Sequence, residues 1–430
     1  MFEVIVLTLG VLSGLPPTQA IPRNSADPVS FTLRMSGDRT RFHPGEVIPI
    51  ELEFSTAIPN RYVLDNATYD RSGRLTLDEF RITPIADVSD PVLDMFAASG
   101  GSIGGGLRGM PVLGPEPTVV KQQLNEWFRF DRPGTFRLSV RSSRVTDEAV
   151  AGTRSVLSLD SNTITFEIVP FDAGWAGSTV AAAVRLLDAT EPVDDRRDGC
   201  RLLRYLGTDA AADEMVARYD DGRWSCQFDY MAGLFSAPNR ERVVRQMEAA
   251  VTRGDRAVSA SFLQTLARLS VYLTHPEYRP AQTAETMGKL PPPGELALHR
   301  ALVDAEIDRH RARLLAALPG KTGAARAITL ADHFASAGNR TTSPAEEEEL
   351  RRQLAASFLE LPSDRQLGCC STHGAVSAIR TCCLFCGGSW KTDPCSTSRP
   401  GMSRFDGCTN WRLTKVARSS CGPSLLRGVG

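Results

Sequence analysis

Near position 170 the apolar residues of this chain change period, from every second residue to every third or fourth. Before that point Val29, Phe31, Leu33 and Met35 alternate with Ser30, Thr32 and Arg34, the period-2 pattern of a strand with one buried face. Ile48, Ile50, Leu52 and Phe54 repeat it against Glu51 and Glu53, and Phe136, Leu138 and Val140 against Arg137, Ser139 and Arg141. Ile164, Phe166 and Ile168 close the series. Asp131-Arg132-Pro133-Gly134 reads as a turn, since proline presets φ and glycine accepts a positive one. Short alternating strands joined by such turns predict an antiparallel β-sandwich over residues 28–170.

After Pro170, Trp175, Val180, Ala183 and Leu187 open a helical pattern. Helices are predicted over 200–206, 211–219, 227–235, 240–251 and 259–273, parted by Gly-, Asp- or Pro-containing turns. A longer one runs over 295–318, between Pro291-Pro292-Pro293-Gly294 and Pro319-Gly320, with Leu296, Val303, Ile307 and Leu314 on one stripe. The last opens with Ser343 as N-cap, Pro344 at the first helical position and Glu346 completing a capping box. Glu347–Arg351 and Glu348–Arg352 are favourable i,i+4 pairs on it, so the acidic run is helix-start chemistry. The expected architecture is therefore multidomain, all-β followed by all-α, with a helical array over 171–368.

Two stretches carry a resemblance to known families. Trp127-Phe128-Arg129-Phe130, the Arg132-Pro133-Gly134 turn and Phe136-Arg137-Leu138-Ser139-Val140 resemble bacterial immunoglobulin-like domains. Leu202-Leu203-Arg204-Tyr205-Leu206-Gly207-Thr208, followed by Ala210 and Ala211, resembles HEAT-type α-solenoid repeats. The likenesses imply an Ig-like β-sandwich followed by a HEAT-like α-solenoid, and solenoids offer extended concave surfaces to proteins and peptides.

The chain's start adds a compartment. Val4 to Leu12 is an apolar run, Leu15-Pro16-Pro17 breaks it, and Thr18-Gln19-Ala20 supplies small residues around a cleavage point. A signal peptide is expected over 1–20 and a polar leader over 21–27, although Met1-Phe2-Glu3 lacks the usual positive charge, which either a mis-called start codon or an uncleaved anchor would explain. A periplasmic or secreted location follows. No other run approaches the roughly 20 apolar residues of a membrane span, so none is expected in the mature chain. With 49 basic and 50 acidic side chains, the formal charge of −1 creates no field that would recruit nucleic acid.

Cys200 and Cys226 open neighbouring helical units, and in an exported chain such a pair reads as a structural disulfide. Glu295–His299 and Glu306–His310 are two i,i+4 pairs on one stripe of the long helix, about 60° wide. Such a stripe suits a metal or acid–base work, yet about 16 Å of helix rise separates the pairs, and no His-Glu-x-x-His is present. A solvated Glu–His face is the simpler expectation. Gly104-Gly105-Gly106-Leu107-Arg108-Gly109 matches a dinucleotide fingerprint only formally, because it lies in a loop of the β region. No catalytic motif and no cofactor are expected.

The other cysteines of the ten cluster between Cys369 and Cys421, where the helical periodicity stops. A zinc knuckle or a disulfide framework would not explain that stop. A shifted reading frame does: in a GC-rich gene, a Cys codon preceded by C reads CTG, leucine, one base earlier. Residues 369–374 then become Leu-Leu-Gln-Tyr-Ala-Trp, so 369–430 is read as an out-of-frame tail without a packed core. The function expected from all this is an exported, non-enzymatic binding or scaffolding protein for a protein or peptide partner. The alternatives are a metal-dependent hydrolase or peptidase-like accessory acting through Glu295, His299, Glu306 and His310, and a cell-envelope structural protein.

Overall fold

The computed structural model describes residues 28–67, 77–99, 109–150, 153–189, 193–220, 226–280, 293–335 and 343–361. The expected signal segment and leader, positions 104–108 of the glycine-rich stretch and the tail from 369 lie outside them. The described part is β in its first half and helical in its second.

In the first sheet β1 (Ser30–Met35), β3 (Pro49–Ser55) and β7 (Thr118–Gln123) run antiparallel with β3 central, and β2 (Arg41–Phe42) lies between β1 and β3 in sequence. Register sets Leu33 opposite Leu52 and Phe31 opposite Phe54, so the residues that alternate in sequence share a face.

The second sheet is built on one 17-residue strand, β9 (Gly134–Val150). Along one edge it pairs with β11 (Ile164–Ile168) and then β10 (Thr153–Asp160); along the other with β5 (Asp78–Thr83) and then β4 (Tyr62–Leu64). The short strand β2 joins β11 in parallel, which makes the sheet mixed where sequence predicts only antiparallel pairing. Parallel neighbours need a long connection, and nearly the whole β region lies between these two. A small ladder, β6 (Val88–Ser89) with β8 (Arg129–Phe130), completes the strands described.

Leu33, Ile50, Leu52 and Phe54 of the first sheet share one apolar core with Phe136, Leu138, Val140 and Phe166 of the second. The Phe31 and Phe54 rings stack at 4.5 Å, and Phe130 meets Phe136 and Phe166 edge-on. Asn162, in the β10–β11 turn, donates to and accepts from the Leu33 backbone across the sheets at 3.0 and 2.8 Å. One ion pair is fully enclosed: Arg144 Nη2 lies 2.7 Å from Asp78 Oδ2. Its Nη1 donates to the Asp65 and Ala67 carbonyls, and Ser142 satisfies the other Asp78 oxygen. These partners are what make a buried pair tolerable.

Within the stretch that sequence reads as β throughout, Leu93–Ser99 forms a helix, α1. Val92, Met95 and Phe96 belong to the helical core and not to that of the sheets. The helices that follow are α2 (Ala173–Asp188), α3 (Val193–Leu206), α4 (Asp209–Arg218), α5 (Gln227–Ser236), α6 (Arg240–Thr252) and α7 (Ala260–Thr274). Then come α8 (Pro293–Ala317), α9 (Gly323–Ala335) and α10 (Pro344–Ser357). Asp172, Thr208, Asn239, Ser259 and Ser343 cap their helices by accepting backbone N–H groups, each cap contributing about 1 kcal/mol. The Ser343–Glu346 capping box forms in full. Arg351 pairs with Glu347, but Arg352 takes Glu349, one residue nearer than the expected Glu348.

Helices pack on their sequence neighbour and on the helix after it: α3 on α2 and α5, α4 on α6, α6 on α7 and α8. One continuous core takes in Val92, Met95 and Phe96 and runs on from Ala176 to Leu314, and α9 and α10 share a smaller cluster that holds Leu330 and Leu350. The β region is seated on this array at several points. His43 stacks on Trp175 at 4.5 Å. Gly45, at φ +77°, lies so close to α3 that a Cβ would fall 2.6 Å from the Leu206 Cα and the Tyr205 carbonyl. Only glycine meets both conditions.

Candidate functional site: a groove across the helical array

A cavity of about 490 Å³ crosses the ends of successive helices. Its apolar lining comes from Leu187 on α2, Val216 on α4, Ala250 on α6, Phe262 on α7 and Ile328 on α9. Charged groups of both signs are spread over the same surface: Asp188, Arg196, Arg218, Asp220, Asp255 and Arg256. Floor and rim thus come from parts of the chain that only the stacking of helices brings together.

Each rim group is held. Arg218 donates to Asp188 at 2.6 Å and Glu214 at 3.0 Å; burial would lower its guanidinium, but these carboxylates hold it above its ordinary value. Arg256 donates to the Val216 carbonyl at 2.9 Å, and Asp220 accepts from the Ser259 backbone at 2.9 Å. Asp255 accepts from Arg253, which lowers its carboxyl. In the wall, Tyr219 packs edge-on against Phe262 at 5.3 Å, and its hydroxyl meets Thr265 Oγ1 at 2.8 Å. Burial pushes the Tyr219 phenol up to about 12, so it stays neutral.

Two structural devices hold this wall. Cys200 of α3 and Cys226, the residue before α5, are joined in a disulfide with Cα atoms 5.5 Å apart, and Cys226 lines the groove. Lys321, 1% exposed, donates to the Arg253 and Arg256 carbonyls at 2.9 and 2.7 Å. It thereby fixes the turn that presents Asp255 and Arg256. Burial brings the Lys321 amine down to about 8.

The other residues singled out by sequence lie on α8, and the expected solvated stripe is not what forms. His299 is 5% exposed and His310 is fully enclosed, because this side of α8 turns toward α6 and α7. His299 sits 5.0 Å from the Tyr272 ring, and its Nε2 has no hydrogen-bond partner among the described residues. Burial and nearby Arg268 lower its pKa. His310 Nε2 lies 3.4 Å from Glu306, whose carboxylate is engaged by Arg309 at 2.6 Å. Burial, with Arg309 adding to it, brings His310 down to about 4. The Glu295 side chain lies outside the described ones. The two histidines face different neighbours and do not share a centre. Among the described residues no group of three or more His, Cys, Asp or Glu side chains could hold a metal ion.

No single motif announces the groove in sequence, since its lining comes in short runs, such as 216–220 and 255–257, from separate parts of the helical array. Among the described residues no helix is long and apolar enough to cross a membrane. No protein-family model, curated protein or solved structure matches the chain.

Proposed function

We propose that this chain is an exported, non-enzymatic binding protein that takes an extended polypeptide segment in the groove across its helices. The observation that carries the reading is the groove's lining, an apolar floor with positive and negative groups interspersed along the rim. A polypeptide presents apolar side chains and both signs of charge at short intervals, so it suits such a surface better than a uniformly charged ligand does. The volume, about 490 Å³, is that of a site for a few residues.

The finer architecture follows the same reading. A HEAT-like solenoid is supported by helices that pack on the helix after next, and an Ig-like sandwich by two sheets that share one core. Export is supported by the Val4–Leu12 apolar run and by the Cys200–Cys226 pair.

Selection of a displayed random-peptide library on the full-length protein tests the reading. Enriched peptides should lose at least about tenfold in affinity toward Ala324→Trp, which fills the groove from its exposed edge. Peptides that bind the variant equally well would place recognition elsewhere. A library that yields nothing, from a protein that self-associates in sedimentation, would favour the cell-envelope structural role instead.

A further inference from the structure

A second cavity, of about 420 Å³, opens where β8, the α5–α6 turn and the residues after α7 meet. It shares no lining residue with the groove. Three guanidinium groups converge on it from separate elements: Arg129 from β8, Arg240 from the first position of α6, and Arg279 from beyond α7.

Internal compensation is incomplete. Asp94 of α1, 3% exposed, lies 2.5 Å from Arg240 Nη2 and 3.0 Å from Arg279 Nη2, so two arginines share one carboxylate. Arg129 is oriented by Asp131 and by the Ser236 carbonyl. Glu241, the carboxylate in the cavity lining, is 75% exposed and lies near Arg245. Arg240 Nη1 and Asp94 Oδ1 are both buried with no hydrogen-bond partner among the described residues. Burial lowers the Arg240 guanidinium, Asp94 opposes this, and Arg279 and Arg129 lower it further. The amino end of the 13-residue α6 adds its partial positive charge at the same place.

We propose that this cavity binds a small ligand through an oxyanion group, a carboxylate or a phosphate. Planar guanidinium forks match the paired oxygens of both groups, and Arg129 and Arg279, 34% and 40% exposed, present theirs at the cavity. A cavity of this size admits a small metabolite and not a folded partner.

Calorimetric titration of the full-length protein with inorganic phosphate and, separately, with succinate tests this, with chloride at matched ionic strength as the control. The expected result is saturable one-to-one binding of one of the two anions with a dissociation constant of about 1 mM or below. Tighter binding of phosphate points to a phosphate ester, and tighter binding of succinate to a carboxylic acid. Arg279→Gln, at a position whose side chain is 40% exposed and whose loss leaves Asp94 paired with Arg240, should weaken binding at least about tenfold. Arg245→Gln, outside the cavity, should leave it unchanged. The proposal is overturned if neither anion saturates, or if both variants bind like the wild type. Since the cavities share no residue, either outcome is independent of peptide binding in the groove.

Discussion

Arg204 and Glu126 meet as a two-bond fork, with Nη2 2.6 Å from Oε2 and Nη1 3.1 Å from Oε1. Arg204 belongs to α3 and Glu126 to the 3₁₀ turn after β7, so the fork ties the helical array to the β region. The same Nη1 lies 3.0 Å from Asp229 on α5, and the Phe228 and Tyr205 rings flank the guanidinium at 5.1 Å. Burial alone would raise the Glu126 carboxyl; Arg204 and the donating Tyr205 hydroxyl outweigh it and hold it below the usual range.

Replacement of Arg204 by Met should therefore be costly. The Arg204 side chain is 3% exposed, and its loss leaves the largely buried Asp229 without its counter-charge, for which about 3–5 kcal/mol is expected. Glu126, 39% exposed, adds little because water screens it. Glu126→Gln should cost less, because Asp229 still pairs with the arginine. Urea unfolding of the three proteins measures both. Equal stability of Arg204→Met and wild type would show that the fork contributes nothing to joining the two regions.

The Cys200–Cys226 bridge closes a loop of 26 residues. Loss of such a crosslink typically costs about 2–4 kcal/mol, chiefly by freeing the unfolded chain. A Cys200→Ser, Cys226→Ser double variant should melt lower than the oxidised wild type and match the wild type in reductant. A wild-type melting temperature indifferent to reductant would show that the pair is not bridged in solution.

How much of this was legible in the sequence depended on whether a residue's neighbours lie close along the chain. The alternation at Phe31–Met35 and Phe136–Val140 marked strands, since period 2 is a local property, and Ser343 with Glu346 marked a helix start for the same reason. α1 went unseen because seven residues are too few to show a helical period. α9 gave little apolar signal because several of its buried positions are the small residues Ala325, Ala327 and Ala331. On α8 the apolar stripe through Val303 and Leu314 marked the core side, but that the core also takes in the neighbouring stripe of His299 and His310 was not readable, because α6 and α7 decide its breadth from elsewhere in the chain. The groove and the arginine cavity each join short runs, such as 216–220 and 237–241, to residues distant in sequence, and that joining carried no signal.

Enclosure of His310 makes stability depend on acidity. Its ordinary value is 6.5, and in the fold it lies at about 4, so between these values the unfolded chain binds the proton that the native state refuses. The contribution is fully present above pH 6.5 and is lost as pH falls through 4. The neighbours Arg309, Glu306, Glu248 and Arg313 are shared by wild type and variant. His310→Phe should accordingly flatten the fall in stability from pH 6.5 to 4. An unchanged slope in the variant would show that the imidazole is protonated as easily folded as unfolded.

Lys321 gives the complementary case at high pH. Its amine titrates near 8 in the fold against 10.5 ordinarily, so between those values the unfolded chain again holds the extra proton, and stability rises with pH across the window. Above pH 10.5 the contribution is complete; it is lost as pH falls through 8. Lys321→Met removes this dependence and also leaves the Arg253 and Arg256 carbonyls without their donor, which should cost about 1–3 kcal/mol at pH 7. The stability gap between wild type and variant should then widen from pH 7 to 10. The same turn presents Asp255 and Arg256 to the groove, so a library-selected peptide should also bind the variant more weakly. A gap that narrows with rising pH would reverse the assigned direction of the Lys321 shift, whereas full peptide affinity in a destabilised variant would confine Lys321 to a structural role.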